Sequence, residues 1–532
     1  MSASFPELKV EVLVSSAWVD LTPDVVRQPG LKCSYGITGT SARDCVASTG
    51  PASFALNNTT RNSAGLQGYY SPDHTNRMTG WVLGAEVRIS WLLGSVRYYK
   101  WRGYIAAINP APGIHNTWLV QVLCVDWMDR AARAKISGLA VQTNKRGDEL
   151  FALLVACVPT APPATMALFG VDVYPYAFDN IKDESTQVLS ELQSMAQSGL
   201  DKIYQRGDII QGGTLVYESR LKRARTTASL FTLDSSVVTA MSVTRSVSDV
   251  INSGQVQTHP RRVDATNTTV LFSEGNAPLM PRGITTVFTA QYRDPLSGRA
   301  TRVGGIDMIS PVATTDYLLN SLADGTGTDL TSQLTVTAIT WGNSAEVTVV
   351  NNGPLDGYRI KCQLRGRGLY DFETMTFTVK DSASIAAYGE NSFSLDMKYQ
   401  TDPDVGADAC AYIVNQCKDP RTKISSVTFI ANRSTAMMQA ALGLEISDRV
   451  TVTEEVTGIS SDYFINAVGL DLNSSEILRC TWTLAPADSQ KYWQLEVDGY
   501  TELDETTILG YGFMVPVWQL GVSQLGIDTI LG

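Results

Sequence analysis

Apolar and polar residues alternate one for one along much of this chain, the period at which a strand shows one face to a core and the other to water. Leu8, Val10, Val12 and Val14 interleave with Lys9 and Glu11, and similar patterns, rich in Thr, Val, Trp and Phe, run through 87–91, 374–379 and 449–453. A hairpin reads at Leu334–Trp341, a turn at Gly342-Asn343-Ser344 and a return at Ala345–Val350, followed by the turn formers Asn351-Asn352-Gly353-Pro354. Strands at such short spacing are what sandwiches and barrels require.

Helical periodicity is the minority signal. Val188, Leu189, Leu192, Met195 and Ala196 share one stripe and predict a helix over 185–198, with Ser185 as N-cap and Gly199 as its stop. Two more helices are expected at 407–416, before Pro420, and at 436–442, before Gly443. The longest apolar run, Leu150 to Val158, ends at Pro159. A membrane span needs about 20 such residues, so a soluble chain is expected.

The breaks divide the sequence into an N-terminal β domain to about 137, a Pro-punctuated, partly helical section to about 220 and a β segment to about 314. An Ig-like block at about 315–400 and a final β-rich section follow. Ser310-Pro311 and the loop Asp324–Asp329 mark one boundary. No internal repeat of solenoid period is visible.

With 532 residues the chain has room for roughly three to four domains. Its 44% hydrophobic and 18% charged residues suit buried cores rather than disorder. The formal charge is 42 − 53 = −11, which argues against a dedicated nucleic-acid site, since that needs a basic footprint. Residues 1–15 read as a strand, not as a secretion signal, so synthesis in a cytoplasm is expected. Eight scattered cysteines (33, 45, 124, 157, 362, 410, 417, 480) then read as reduced, mostly buried thiols.

Reactive clusters are sparse. The three histidines, His74, His115 and His259, show no metal-ligand spacing, which disfavours a Cys–His or zinc peptidase. A glycosidase needs two carboxylates across a cleft, and no pair among the 53 acidic residues stands out. Gly325-Thr-Gly-Thr-Asp-Leu330 lacks the third glycine of a phosphate loop and reads as a flexible loop. Asp402, Asp404 and Asp408 offer hard oxygen ligands without EF-hand spacing, and Cys410 and Cys417 read as buried thiols on one helix face. No catalytic, cofactor or metal residue is therefore assigned.

A series of short stretches resembles the minor tail and tail-hub proteins of tailed bacteriophages. Trp18-Val-Asp-Leu-Thr-Pro-Asp-Val25, Ala52–Asn58, Gly84–Ile89, Trp101–Ile105 and Val120–Asp126 resemble the successive strands of that family's first unit. Gly212–Arg220 looks like its "G-x-L-x-x-x-x-R" hairpin. Leu444–Val450, Asp462–Ile465 and Trp482–Pro486 resemble "L-x-I-G-D-x-V", "D-Y-F-I" and "W-x-L-x-P", with Ser447 where the pattern has Gly. Their order carries the weight.

The resemblance implies a mainly β, multidomain β-barrel and β-sandwich hub with a small α/β section and an Ig-like insertion. The expected units are an N-terminal β-barrel-like hub domain at 1–137 and a small α/β domain at 138–220. A second, discontinuous β-barrel-like hub domain takes 221–314 with 401–500. The Ig-like insertion takes 315–400, and an apolar tail takes 501–532. It further implies a homotrimer at the tail tip of the virion, touching distal-tail, tail-tube and fibre proteins, with a possible contact to the host cell surface and no cofactor.

Two segments are candidates for partner docking. Arg220, Lys222, Arg223 and Arg225 form the densest basic cluster, facing tail-lumen DNA or an acidic neighbour on one reading and forming a solvated face on the other. The apolar C-terminus, with Val515, Val517, Trp518 and Leu520, either pairs as an edge strand in its own domain or docks on a neighbouring subunit, and docking is the reading preferred. Two alternatives to a structural hub stay open. One is a carbohydrate-binding adhesin using aromatics such as Tyr69-Tyr70 and Tyr98-Tyr99-Lys100-Trp101; the other is a glycan-cleaving tail enzyme.

Overall fold

The computed structural model describes residues 5–39, 43–113, 118–168, 172–181, 185–297, 301–371 and 374–487. Thirty strands and seven α-helices occupy these described residues, so the fold is mainly β and multi-sheeted. The alternating stretches become Glu7–Val14, Glu86–Leu93, Met375–Lys380 and Arg449–Glu454. The hairpin forms as Leu334–Thr340 paired with Ser344–Asn351, in register from Leu334↔Asn351 to Thr340↔Ala345.

The three expected helices form with shifted ends. The first is Val188–Gly199, preceded by Gln187 in place of Ser185. Gly199 is its last residue rather than its stop, and Leu200 takes the left-handed turn at φ 52°. A Cβ at Gly199 would fall onto the Asp201 carboxylate and the Tyr174 hydroxyl, so close packing demands glycine there. The second, Pro403–Cys417, starts four residues early because Pro403 fits the first turn and the Asp402 side chain accepts from the Asp404 N–H at 2.9 Å. The third is Thr435–Gly443, capped by Ser434. The apolar run 150–158 supplies the buried face of helix Gly147–Ala156 through Leu150, Phe151, Leu154 and Val155. Among the described residues no helix is long and apolar enough to cross a membrane.

A 13-stranded sheet dominates. From edge to edge it runs Val238–Thr244, Lys423–Ile430, Leu478–Pro486, Ile459–Leu472, Leu31–Gly36, Pro51–Asn57, Leu119–Val125, Val96–Pro110, Glu86–Leu93, Glu7–Val14 and Ala17–Asp20. Arg449–Glu454 also pairs with Ile459–Leu472 and carries Phe231–Asp234 in parallel. Among the described residues this is an open path, not a closed barrel. Register shifts at Ile89/Ser90, Ile105/Ala107 and Ile465/Ala467 add the local twist that lets so wide a sheet bend.

The N-terminal and C-terminal parts of the chain meet in the middle of this sheet. Ile459–Leu472 bonds Leu31–Gly36 from Ala467↔Gly36 to Leu472↔Leu31. Gly36 sits there at φ 110°, where a Cβ would come within 2.5 Å of the Asn466 carbonyl oxygen. One apolar core extends along both parts, holding Trp81, Trp91, Trp101, Phe54, Phe429 and Trp482.

Three smaller units pack around the sheet. In the α/β section, Thr214–Glu218 pairs antiparallel with Lys202–Arg206 and parallel with Ala164–Leu168. Helices Trp127–Arg133, Gly147–Ala156 and Val188–Gly199 enclose its core of Phe151, Tyr174, Leu192, Met195 and Tyr217. A second unit sets Ser253–Thr258 between Met375–Lys380 and Ser392–Met397, with helix Pro403–Cys417 on one face.

The third unit is a sandwich built on the 15-residue strand Gly357–Asp371, which bonds Arg261–Val263, Thr269–Ser273, Leu279–Met280, Gly304–Ile306 and Tyr317–Asn320 along its two edges. Facing it are Thr285–Gln291, Ser344–Asn351 and Leu334–Thr340, and Leu271, Tyr292, Val347 and Leu364 fill the space between. The strands of 315–400 are thus divided. The sandwich takes residues from Arg261 to Asp371, while Met375–Lys380 and Ser392–Met397 join Ser253–Thr258. A strand this long needs partners along its whole length, and alternation reports a strand's faces but not its neighbours. The 324–329 loop is tied down, since Asn320 Nδ2 donates to the carbonyls of Gly325 at 3.2 Å and Gly327 at 3.1 Å.

The shared core makes a prediction. Trp482 is fully buried with its ring centroid 4.9 Å from that of Phe429, edge to face. Trp482→Ala should cost about 3–5 kcal/mol in denaturant unfolding. Limited proteolysis should then open 7–14 and 423–430 at the same denaturant concentration, because both lie on one core.

Candidate assembly surfaces and the polar seam beneath them

The four cations at 220–225 lie on the short helix Arg220–Arg225, capped by the Ser219 hydroxyl. Arg220 forks onto the Asp172 carboxylate, with Nη2 donating to Oδ1 at 2.9 Å, and Nη1 also donates to the Gly199 carbonyl at 2.9 Å. Arg223 Nε donates to Glu218 Oε1 and Ser447 Oγ, both at 3.0 Å, and Nη1 donates to Asn466 Oδ1 at 2.7 Å. Its guanidinium lies 5.3 Å from the Phe464 ring. Lys222 donates to Thr226 Oγ1 at 3.0 Å, and Arg225 is half-buried. Arg220 and Arg223 therefore face inward, Arg220 within the α/β section and Arg223 joining that section to the large sheet.

Apart from the partly exposed Asp172, their side-chain partners are deeply buried. Glu218 accepts from Tyr204 Oη at 2.5 Å and Ser447 Oγ at 2.7 Å besides Arg223. Ser447 has φ 71°, the left-handed conformation that the Gly of the resembling pattern adopts freely. Its hydroxyl bonds offset the backbone cost. Asp201 accepts from Tyr217 Oη at 2.6 Å and from the Arg220 backbone N–H at 3.2 Å. Burial, with the nearby Asp172, pushes the Asp201 carboxyl up to about 7 against the pull of Arg220.

A second buried network lies a few residues away. Lys100 and Glu445 form an ion pair in the interior, and Lys100 Nζ also donates to the carbonyls of Leu442 at 3.1 Å and Leu444 at 3.2 Å. Glu445 further accepts from Tyr35 Oη at 3.1 Å and from the Gly207 N–H at 3.3 Å. Burial first, then the Glu445 charge, holds the Tyr35 phenol well above its usual range. Two strands of the N-terminal part, through Tyr35 and Lys100, together with the α/β section and the C-terminal part thus converge on one carboxylate.

The third cluster pins the sandwich. His259 Nε2 lies 2.6 Å from Asp396 Oδ1, and Nδ1 lies 3.5 Å from Asp371 Oδ2. Arg261 Nε donates to Asp179 Oδ2 at 2.7 Å and Nη1 to Asp371 Oδ1 at 2.9 Å. Asp371 and Asp396 together raise the His259 imidazole to about 9. His74 is exposed on a loop, and His115 lies outside the described residues. Asp402 serves as a helix cap, Cys410 is buried and Cys417 half-buried, and the described residues hold no group of three metal-ligand side chains.

The aromatic stretches pack inward. Tyr70 is buried, donates to Asp24 Oδ2 at 2.5 Å and lies edge-on to Trp81. Lys100 and Trp101 are buried too, while Tyr69, Tyr98 and Tyr99 are half-buried. A different surface feature stands out, one that alternation could not reveal. Ile209 and Ile210 are 63% and 77% exposed at the tip of a tight loop. Asp208 accepts from the N–H groups of Ile210 at 2.7 Å, Gln211 at 2.6 Å and Gly212 at 2.8 Å, and from Thr214 Oγ1 at 2.8 Å. Burial alone would raise the Asp208 carboxyl, but these donors outweigh it and hold it below its usual range. The loop is rigid by construction, and it presents two adjacent isoleucines to water. The sequence signal was there in Asp208-Ile-Ile-Gln-Gly-Gly213, an apolar pair set among turn formers. Val515, Val517, Trp518 and Leu520 lie outside the described residues.

Two predictions follow from the buried charges. Lys100→Met strands the Glu445 carboxylate and should cost about 3–5 kcal/mol, whereas Lys100→Met with Glu445→Gln should recover most of it, as a double-mutant cycle in urea would measure. His259 is charged more readily folded than unfolded, so its contribution is complete below its unfolded value near 6.5 and disappears as pH rises through about 9. The melting-temperature gap between the wild type and His259→Gln should be widest at pH 6 and should close by pH 9.5.

No family profile and no curated protein sequence matches the chain. Solved structures do. A 43 kDa tail protein of prophage MuSo2 from Shewanella oneidensis aligns with 91% of this chain and 99% of its own, at 9% identity and a TM-score of 0.45. A tail protein from Neisseria meningitidis MC58 covers 90% of this chain and 96% of its own, at 9% identity and 0.45. Prophage tail protein gp18 from Listeria monocytogenes EGD-e covers 90% and 94%, at 8% identity and 0.39.

Proposed function

We propose that this chain is a structural protein of a bacteriophage tail, a hub at the tail tip that joins the tail tube to distal-tail and fibre proteins. One observation carries the reading. Of the nine stretches that resemble tail-hub proteins, eight lie on the 13-stranded sheet or its turns, and the ninth, 212–220, contains Glu218 of the seam. The sandwich from 261 to 371 contains none. The resemblance therefore follows the part of the fold that one core and one seam hold together, with the sandwich added to it.

The mechanism is geometric. A rigid body repeats around an axis, and heterologous contacts close into a ring when each copy is rotated by the right angle. In this proposal three copies form a homotrimer in the virion, each stable interface burying at least about 1,000 Å². The rigid Ile209–Ile210 knob suits such a contact, since preordered apolar side chains lose little entropy on docking. The carbohydrate-binding alternative relied on exposed aromatics, and Tyr70 and Trp101 instead belong to the core.

Light scattering of the purified chain should give three times its 57.7 kDa, and labelled antibody should mark one end of the tail on intact particles. A monomer at all concentrations, or particles without label, would end the proposal. Ile209→Ser with Ile210→Ser should raise the concentration needed for assembly at least tenfold while leaving the melting temperature of the subunit within a few degrees.

A further inference from the structure

Strand Ala164–Leu168 is the edge of its three-stranded sheet and, among the described residues, bonds a strand on one side only. Its middle residues are exposed, Met166 by 40%. Alongside it, helix Gly147–Ala156 leaves a groove of about 260 Å³. Phe151 and Ala152 from the helix and Met166 and Ala167 from the strand give it an apolar floor. The acids at its rim are already paired, Asp148 with Arg146 at 2.7 Å and Glu149 with Lys145 at 3.1 Å. An open strand edge beside an apolar hollow is the arrangement that accepts an extended segment by strand addition. Two other open edges are less suited. Val238–Thr244 is broken by two register shifts, and Ala17–Asp20 is only four residues long and ends in a charge.

We infer that residues 513–520 of this same chain occupy this groove as an added strand. The described chain stops at Ala487, and 532 − 487 = 45 residues follow. The 26 residues from Ala487 to Phe513 span at most on the order of 90 Å, against a radius of gyration of roughly 24 Å for a compact chain of this length. No residue from Thr506 to Ile527 is charged, which matches a groove whose charges are spent on each other. Phe513, Val515 and Val517 alternate with Met514, Trp518 and Leu520, so one row can fill the hollow while the other covers it. Pro516 has no N–H and fits only if its backbone faces away from Ala164–Leu168, which leaves Val515 and Val517 to bond the edge. The same proline stops the sheet from growing further. The inference does not depend on the tail reading.

The test uses the full-length chain. Met166→Cys with Val517→Cys, oxidised and mapped by mass spectrometry, should form the 166–517 disulfide at least tenfold faster than a Val456→Cys with Val517→Cys control, whose residue 456 is 93% exposed. On non-reducing gels, a band at monomer mass places the segment on its own copy, and a higher-mass band places it on a neighbour; either supports the inference. Equal rates for the two pairs would overturn it. Independently, the amides of 164–168 should exchange at least tenfold faster in Val515→Asp with Val517→Asp than in the wild type. Unchanged exchange there, whether fast in both or slow in both, would mean that the groove is empty or filled by something else, and the inference would fall.

Discussion

The ion pair between Lys100 and Glu445 is the constraint on which the arrangement of the molecule turns. A buried ammonium is costly unless each of its three hydrogens has an acceptor, and here two helix-end carbonyls and one carboxylate supply them. The carboxylate in turn takes the Tyr35 hydroxyl and the Gly207 N–H. These contacts link positions 238, 345 and 410 residues apart in sequence. Apolar packing would tolerate small slips between the parts of the chain. A charge that must find all its partners at once would not.

The neighbouring Glu218–Arg223–Ser447 network repeats this logic one layer over, between the α/β section and the strands at 449–472. Each network alone is weak evidence for added stability, because burying ions costs about as much as their attraction returns. Together they select one register. The wide sheet can then carry bulges and a glycine contact at Gly36 without losing its alignment, and its surface loops inherit fixed positions.

Much of this was legible in the sequence, because period-2 alternation is written locally. The strands at 7–14, 86–93 and 334–351 needed only their own residues to declare themselves. Helix starts were less legible, since the cap at Asp402 competes with the turn that Pro403 also suggests. Apart from the 334–351 hairpin, whose turn is written locally, pairing was not legible, and so the sandwich took in 261–306, which alternation alone could not assign to it. The basic run at 220–225 shows the same limit from another side. Density of charge says that cations are close together, whereas the carboxylates that turn Arg220 and Arg223 inward come from Asp172 and Glu218, and no spacing rule links them. The departure from the resembling pattern at Ser447 falls at a left-handed backbone position, where a substitution for glycine needs a compensating bond.

The sandwich leaves the body and returns to it as a bonded pair, with Arg261 opposite Asp371 and, one sheet earlier, Thr258 opposite Met375. Two chain crossings so close together act as a single stalk. A module attached in that way can be exchanged for another of different size or shape while the strands beneath keep their ladder, provided the newcomer also begins and ends on adjacent strands. The junction is therefore a natural place to graft a foreign domain while leaving the scaffold unchanged.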